Sequence, residues 1–384
     1  MNIVHICLTG PFTDGWNYQE NVLTKYHVRL GHSVTVITTE WCWNENNALV
    51  KSNEHDYTNS DGVHIIRLPI KGGHGFEYRF KRYKGLVNAL NDCNMDIMFV
   101  HDTQMLDTKI LADYLKQHKN VIAYSDCHAD FSNSATNWLS KNILHKVIWK
   151  YYAQLLEPYV RKFYGTLPAR VDFLKNVYGL PKEKCELLVM GADDDFINRA
   201  QETNAWKTIR KKYNINESDF LVVTGGKIDA WKTQTLLLMQ AIKDIPDLQV
   251  KLIVFGSVAK EMQQEVKGLS DGEKIQYIGW IKSDDSYDYF AAADLVVFPG
   301  RHSVFWEQVT GQGIPMLVKD WDGTHHVDLG GNVHFLKEDS AKEIEREILN
   351  ITHDKGLYEH MKSVAEEKGR DVFSYAKIAQ RSIE

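Results

Sequence analysis

What most constrains this chain is a boundary that recurs along it: short runs of β-branched and apolar residues that stop on glycine or proline. Phe220–Thr224 runs into Gly225-Gly226, Lys251–Phe255 into Gly256, Ile275–Ile278 into Gly279, and Leu295–Phe298 into Pro299-Gly300. Segments with helical spacing lie between these runs, and such alternation predicts parallel α/β layers. The glycines then fall at the carboxyl edge of a sheet, where ligands of open α/β folds bind. The first half alternates in the same way. Asn2–Leu8 reads as a strand and Thr9–Gly15 as a loop, and a helix runs through Leu30 until Gly31 closes it as a C-cap. Further strands are predicted at Ser33–Thr38, Val63–Leu68, Ile97–His101, Val121–Ser125, Lys162–Thr166 and Glu186–Val189.

At 384 residues the chain exceeds the usual size of one core, so two domains are expected. The α/β pattern assigns residues 1–195 to one Rossmann-like, doubly wound domain and 196–365 to a second, the two facing across a cleft. Residues 196–218, polar and helical, read as the connection. Residues 366–384 are expected to end in an amphipathic helix, Val372–Glu384, that packs back on the first domain with Phe373, Tyr375 and Ile378 inward. A net charge of −6 and a pI near 6.2 argue against a nucleic-acid binder, whose affinity would rest on neutralising phosphates. Cys7, Cys42, Cys93, Cys127 and Cys185 are dispersed and lack zinc spacing, which suits a reducing compartment. The N-terminus enters a strand directly, and no apolar run approaches the roughly 20 residues of a membrane span. A cytoplasmic protein is expected, at most bound to the inner face of the cell membrane.

The strongest constellation lies in the second half. Gly225-Gly226-Lys227 leaves a strand, and Lys232 follows near the start of a predicted helix, Thr233–Ile242. Helix-start amides and two ammonium groups suit a diphosphate, although two solvated surface lysines are the plainer alternative. The run from Pro299 through Arg301, His302, Ser303, Val304, Phe305 and Trp306 to Glu307 and Gln308 ends a strand and opens a helix near Ser303. Ser303 can simply cap that helix and Glu307 favour its positive end. The functional alternative puts free amides at Ser303 and Val304 on a phosphate and the Glu307 carboxylate on a ribose diol. Gly311 and Gly313 are costly in a helix unless close packing requires them.

In the first half, Asp126-Cys127-His128-Ala129-Asp130 leaves a strand, and His101-Asp102 ends the preceding one. Asp126, His128 and Asp130 look like metal ligands, but polar loop residues are the commoner explanation and no metal is expected. Asp193-Asp194-Asp195 at the crossover reads as a solvated cluster rather than a metal motif.

Taken in order, these features resemble family 4 glycosyltransferases, the large retaining GT-B group of bacterial glycan assembly. The frame comprises Gly225-Gly226-Lys227 with Lys232, Phe255-Gly256, Ile278-Gly279-Trp280, Ala291 to Pro299, and Gly313-Ile314-Pro315. Gly31 to Val36, Met190-Gly191-Ala192-Asp193 and Phe373-Ser374-Tyr375 extend it over nearly the whole chain. The resemblance implies a GT-B fold, a nucleotide-sugar donor as co-substrate, and no cofactor. It implies Gly226, Lys227, Lys232, Ser303 and Val304 on the donor diphosphate and nucleotide, with Glu307 on the ribose. The family's Glu-x7-Glu element is not intact. Its first Glu falls near Pro299 or Gly300, and its second at Glu307 or, in register with Gly-x-Pro, at Gln308. Glu307 is preferred, and His302 or Ser303 is expected to replace the missing sugar contact. His128 matches a histidine that faces the transferred sugar, so His128, Lys232 and Glu307 form the expected catalytic set. The glycine loop with Gly10 and Gly15, followed by Trp16 and Tyr18, is assigned with Asp130 to the acceptor side.

Phe76–Lys84 interleaves aromatic and basic residues, and Trp138–Tyr152 is an apolar and basic helix with Lys141, Lys146 and Lys150. Both suit anionic headgroups and a lipid-linked acceptor, although a half-buried helix explains the second equally well. The reaction expected is transfer of a hexosyl or N-acetylhexosaminyl group, with retention, from a UDP-sugar to a hydroxyl of a glycan or lipid-linked acceptor. A nucleotide-sugar epimerase and a catalytically silent nucleotide- or glycan-binding protein are the alternatives. A dinucleotide-dependent dehydrogenase is poorly supported, because no Gly-x-Gly-x-x-Gly follows the first strand.

Overall fold

The computed structural model describes residues 1–45, 48–72 and 80–384. The chain divides into two compact units, Met1–Val189 with Tyr375–Glu384, and Met190–Ser374.

In the first unit the strands are β1 (Asn2–Cys7), β2 (Ser33–Thr39), β3 (Trp41–Trp43), β4 (Leu49–Lys51), β5 (Asp56–Thr58), β6 (His64–Leu68), β7 (Ile97–His101), β8 (Ile122–Cys127), β9 (Val160–Gly165) and β10 (Cys185–Leu187). Eight of them form one sheet in the order β10-β9-β8-β7-β1-β2-β6-β5, parallel except for the edge strand β5. β3 and β4 make a separate antiparallel ribbon. The central strands are buried on both faces, as parallel strands covered by helices are. His5 breaks the apolar run of β1, and it is fully buried. The strand order reverses between β1 and β7, so the loops after these strands open a crevice at the carboxyl edge.

The second unit repeats the plan with β11 (Phe220–Gly225), β12 (Val250–Phe255), β13 (Ile275–Tyr277), β14 (Leu295–Phe298), β15 (Met316–Lys319) and β16 (Val333–Leu336). All are parallel, in the order β13-β12-β11-β14-β15-β16. The order reverses between β11 and β14, which brings the loops at Gly226-Lys227 and Gly300-Ser303 to one switch point.

Several segments differ from the sequence reading. The helical connection expected at residues 196–218 comprises helices Asp194–Glu202 and Ala205–Lys212, which lie within the second unit. Asp193 caps the first of these by accepting the Asp195 N–H at 3.1 Å, which gives the acidic run a local structural task. The final helix is broken. One helix, Lys355–Phe373, ends where the Ala192 N–H donates to the Phe373 carbonyl at 2.8 Å. A second, Tyr375–Arg381, then starts, and only Tyr375–Glu384 joins the first unit. Trp138–Tyr152 is helical in a wider form, a π-helix over Ser140–Trp149 followed by an α-helix over Lys150–Leu156. Phe76–Arg79 of the aromatic and basic stretch lie outside the described residues. No helix among the described residues is long and apolar enough to cross a membrane.

The glycines at the strand ends of the second unit are needed for packing. A Cβ on Gly256, whose φ is 125°, would lie 1.9 Å from the Gly226 carbonyl oxygen, and one on Gly225 would lie 2.1 Å from the Phe255 ring. The loops after β11 and β12 therefore touch through bare backbone. Gly311 serves a similar purpose, since a Cβ there would lie 2.7 Å from Ala192 Cβ. Gly268, inside the helix Gln263–Leu269, has open space around it. Gly256→Ala is expected to destabilise the protein by about 2 kcal/mol or more. Gly268→Ala should be neutral or stabilise by about 0.5–1 kcal/mol, both read by urea unfolding.

Candidate functional site

At the switch point of the second unit Lys227 and Lys232 lie by Asp229, and Arg301 lies close enough to act on Lys232. Lys227 Nζ lies 3.1 Å from Asp229 Oδ2, and Asp229 also accepts the Trp231 N–H at 2.9 Å. The Arg301 guanidinium lies over the Trp231 ring, 5.2 Å from its centroid. Burial lowers the Lys232 ammonium pKa, and Lys227 and Arg301 push it in the same direction against Asp229. Cations that repel one another at the carboxyl edge of a sheet form a site for a polyanion. Gly226, Lys227 and Lys232 are thus brought together as the sequence suggested. Arg301 joins them, a partner that its position in a polar loop did not single out.

Beside them lies a second group. Glu307 is completely buried, and its Oε1 accepts from His302 Nε2 and from His326 Nε2, each at 2.8 Å. Burial alone would raise its pKa, but the two imidazoles outweigh that and hold the carboxyl well below its usual range. The Glu307 carboxylate is thus enclosed in this structure, with its Oε2 buried and without a hydrogen-bond partner. It has no exposed face, and its geometric role is to orient His302 and His326. Gln308, the other register candidate, turns away to donate to Ser286 Oγ at 2.8 Å. The helix starts at Phe305, two residues later than expected, and Ser303 Oγ accepts the Phe305 N–H at 3.2 Å. Val304 is exposed beside it. His302, Glu307 and His326 have the composition of a divalent-ion site. However, His326 Nδ1 is buried without an acceptor, whereas metal-bound imidazoles nearly always donate from the second nitrogen. The group fits a hydrogen-bonded clamp better. His326, in a short turn, carries no sequence signal that separates it from its neighbour His325.

In the first unit the loops after β7 and β8 bring His101, Asp102, Asp126 and His128 together. Asp126 is buried, its Oδ2 lying 2.8 Å from His101 Nδ1 and 3.4 Å from His128 Nε2. Asp102 has φ 61°, a left-handed conformation that is uncommon outside glycine and tends to mark functional sites. Its side chain accepts the His128 N–H at 3.1 Å. Burial opposes charge on His128, but Asp126 above all, with Asp102 and Glu20, raises its pKa. His101 and Asp126 are hydrogen-bonded, whereas His128 Nε2 is buried without a hydrogen-bond partner, and ligand atoms of His101, Asp126 and His128 all lie within 4.8 Å of one another, the composition of a divalent-ion site. Asp130 is also engaged, accepting the Ser132 N–H at 2.6 Å and pairing with Arg170 Nε at 3.3 Å. In this structure these contacts lock its loop. Gly15 takes φ 73°, Trp16 stacks on Trp43 at 6.3 Å and meets Tyr18 edge-on at 5.2 Å, and Tyr18 is half exposed.

Comparison with known proteins accords with this geometry. Residues 206–368 match the family model described as glycosyl transferases group 1. Over 239 residues the chain is 24% identical to mannosylfructose-phosphate synthase of Agrobacterium fabrum, a match covering 56% of this chain and 50% of that one. The chain thus spans about half the length of that curated relative. Among solved structures it is similar to Anabaena Alr3699/HepE in complex with UDP, with a TM-score of 0.69 and 15% identity over 99% of this chain and 98% of that one. It is also similar to a glycosyltransferase from Rickettsia africae, with a TM-score of 0.68 and 13% identity over 99% and 96%. These likenesses establish the fold: two Rossmann-like units of the GT-B type.

The buried imidazoles imply a pH dependence. Burial lowers His27 and His145 to about 4 and, with His27 and His101 nearby, drives His5 well below its ordinary value. In the unfolded chain these groups titrate near 6.5, so below that pH the unfolded state binds protons that the folded state refuses. The contribution of these three histidines to stability is full above about pH 7 and falls as pH drops toward 4. Each such histidine contributes a slope of about 1.4 kcal/mol per pH unit in that window. Urea unfolding between pH 7 and 5 should show this slope, and His145→Gln should reduce it by about one proton.

Proposed function

We propose that this chain is a glycosyltransferase that takes its sugar from a nucleoside-diphosphate donor, with the diphosphate held at Lys227, Lys232 and Arg301. The observation that carries this reading is the grouping of three cations, two of them by Asp229, at the switch point of the second unit. Such a site is short of negative charge until a polyanion enters. The same cations, fixed before the reaction starts, stabilise charge that builds on the leaving diphosphate. The match of residues 206–368 to glycosyl transferases group 1 supports the reaction class, and the HepE complex supports uridine as the base.

In this reading His302 takes the place of the missing carboxylate near Gly300. Glu307 fixes its orientation, so that one imidazole nitrogen is held and the other faces the sugar or β-phosphate. Ser303 and Val304 offer backbone to the nucleotide, and His128 is assigned to the sugar hydroxyls. Retention of configuration follows from the family resemblance. The acceptor is proposed to be a hydroxyl of a glycan or a lipid-linked glycan. Trp138, Leu139, Ile143, Val147 and Tyr151 form an exposed apolar stripe beside Lys141, Lys146 and Lys150, which supports peripheral contact with an anionic membrane.

Thermal-shift measurement with UDP, GDP, ADP and their sugars tests the donor site. UDP and a UDP-sugar are expected to stabilise the protein, and the absence of a shift with every nucleotide would sink the proposal. Lys232→Ala should weaken UDP binding about tenfold or more, the cost of one charge-assisted hydrogen bond, and leave uridine binding nearly unchanged. Equal loss for both ligands would contradict the diphosphate role.

A further inference from the structure

Five ionisable side chains form one buried line through the first unit, and a group that can only accept hydrogen bonds sets its polarity. His27 Nε2, on the helix Gln19–Arg29, lies 3.0 Å from the Ala379 carbonyl oxygen and 3.0 Å from Ser382 Oγ. The Ser382 hydroxyl spends its own proton on the same carbonyl, at 2.8 Å. Both oxygens therefore accept from His27, and Nε2 must carry hydrogen. In neutral His27 the Nδ1 is then bare and accepts from His5 Nε2–H at 3.0 Å. His5 Nδ1 is bare in turn and accepts from His101 Nε2–H at 2.9 Å. His101 Nδ1 faces Asp126 Oδ2 at 2.8 Å, and one proton lies in that contact. Asp126 also accepts the Asp102 N–H on Oδ1 at 3.2 Å and lies 3.4 Å from His128 Nε2. Donors on both oxygens favour the carboxylate, which leaves the proton on His101.

We infer that this line is a positioning relay: the C-terminal segment Tyr375–Glu384 fixes the tautomers of His27 and His5, His101 is a standing imidazolium, and Asp126 is a standing carboxylate that holds His128. Besides the neutral His101–Asp126 pair, the other proton arrangements with the same charge move the cation to His5 or to His27, away from the carboxylate, and are disfavoured by Coulomb energy in a buried place. The neighbouring groups agree. Phe99 stacks on His5 at 5.3 Å and His32 meets His27 edge-on at 6.2 Å, while Asp126 acts on His5 only as the smallest influence, outweighed by burial and by His27 and His101. Cys7 lies beside His101, and burial keeps its thiol neutral by raising its pKa. Asp102 and Glu20 act on His128 at the far end. The directions of the individual shifts match the assignment: burial lowers His5 and His27, while on His101 burial is outweighed by Asp126 and the pKa rises well above the ordinary value.

His5, His27, His101 and Asp126 are positioning residues in this scheme, and only its consequence for transfer rests on the proposed role of His128. Nitrogen NMR of the full-length protein with 15N-labelled histidine, without ligand and between pH 6 and 9, reads the relay directly. His5 and His27 are expected as neutral Nε2–H tautomers, and His101 as doubly protonated across the range. A neutral His101 at pH 7, or an Nδ1–H tautomer at His27, overturns the inference. His27→Gln keeps one donor and one acceptor and should recover both the His101 signal and kcat. His27→Leu interrupts the line and should lose that signal and lower kcat by about tenfold or more, with UDP affinity unchanged. If His27→Leu does not fold, the His27→Gln spectrum decides, and loss of the imidazolium there contradicts the relay. Expected spectra with unchanged kcat in His27→Leu refute the positioning role. A protein with the expected spectra and no transfer activity overturns the proposed function and leaves the relay standing.

Discussion

An ionised carboxylate taken out of water must be compensated where it stands, because its desolvation costs far more than one neutral hydrogen bond returns. Both units are built around such a group. Asp126 lies between His101 and His128, and Glu307 between His302 and His326; both carboxylates are buried. Each stands near the carboxyl edge of its sheet, where the change in strand order leaves the loops free to diverge. Once the carboxylate is fixed, the imidazoles around it lose their rotational choice. A side chain that meets a substrate with one nitrogen is thereby held by the other, which is the kind of preorganisation that a binding site requires.

The cation group at Lys227, Lys232 and Arg301 follows the opposite logic. Asp229 lies among three positive charges, and the Lys232 ammonium pKa is lowered first by burial and further by Lys227 and Arg301. Loop contact through Gly226 and Gly256 holds the backbone that carries Lys227, and stacking on Trp231 holds Arg301. This excess of positive charge is what the proposed diphosphate would balance. A concavity of the second unit lies elsewhere, around Arg210, Asp294 and Tyr358, where Arg210 and Asp294 already neutralise each other.

The sequence was informative where function depends on local backbone. Strands that stop on glycine revealed two α/β halves, and the positions of Lys227 and Lys232 after the first strand of the second half marked the cation site. It was much less informative where residues distant in the chain meet. His5 and His27 each look like an isolated histidine on an apolar element, and only the sheet and the returning C-terminal segment place them in line with His101. His326 is similarly ordinary until Glu307 is seen to be buried beside it. An acidic residue in a loop looks available, and the sequence does not show that Arg170, forty residues later, engages Asp130. Helical position suggests which residues share a face but not that the Glu307 carboxylate is wholly enclosed. β15 and β16 were missed because four apolar residues after a turn carry too little periodicity to identify a strand.

The central claim is that the cation group of the second unit receives the diphosphate of a nucleotide-sugar donor. A crystal structure of the protein with UDP bound tests it most directly. The account predicts phosphate oxygens within hydrogen-bonding distance of Lys232 Nζ and the Arg301 guanidinium, with Glu307 still enclosed between its two histidines. A diphosphate bound elsewhere, or a Glu307 carboxylate turned out onto the ribose, would contradict it.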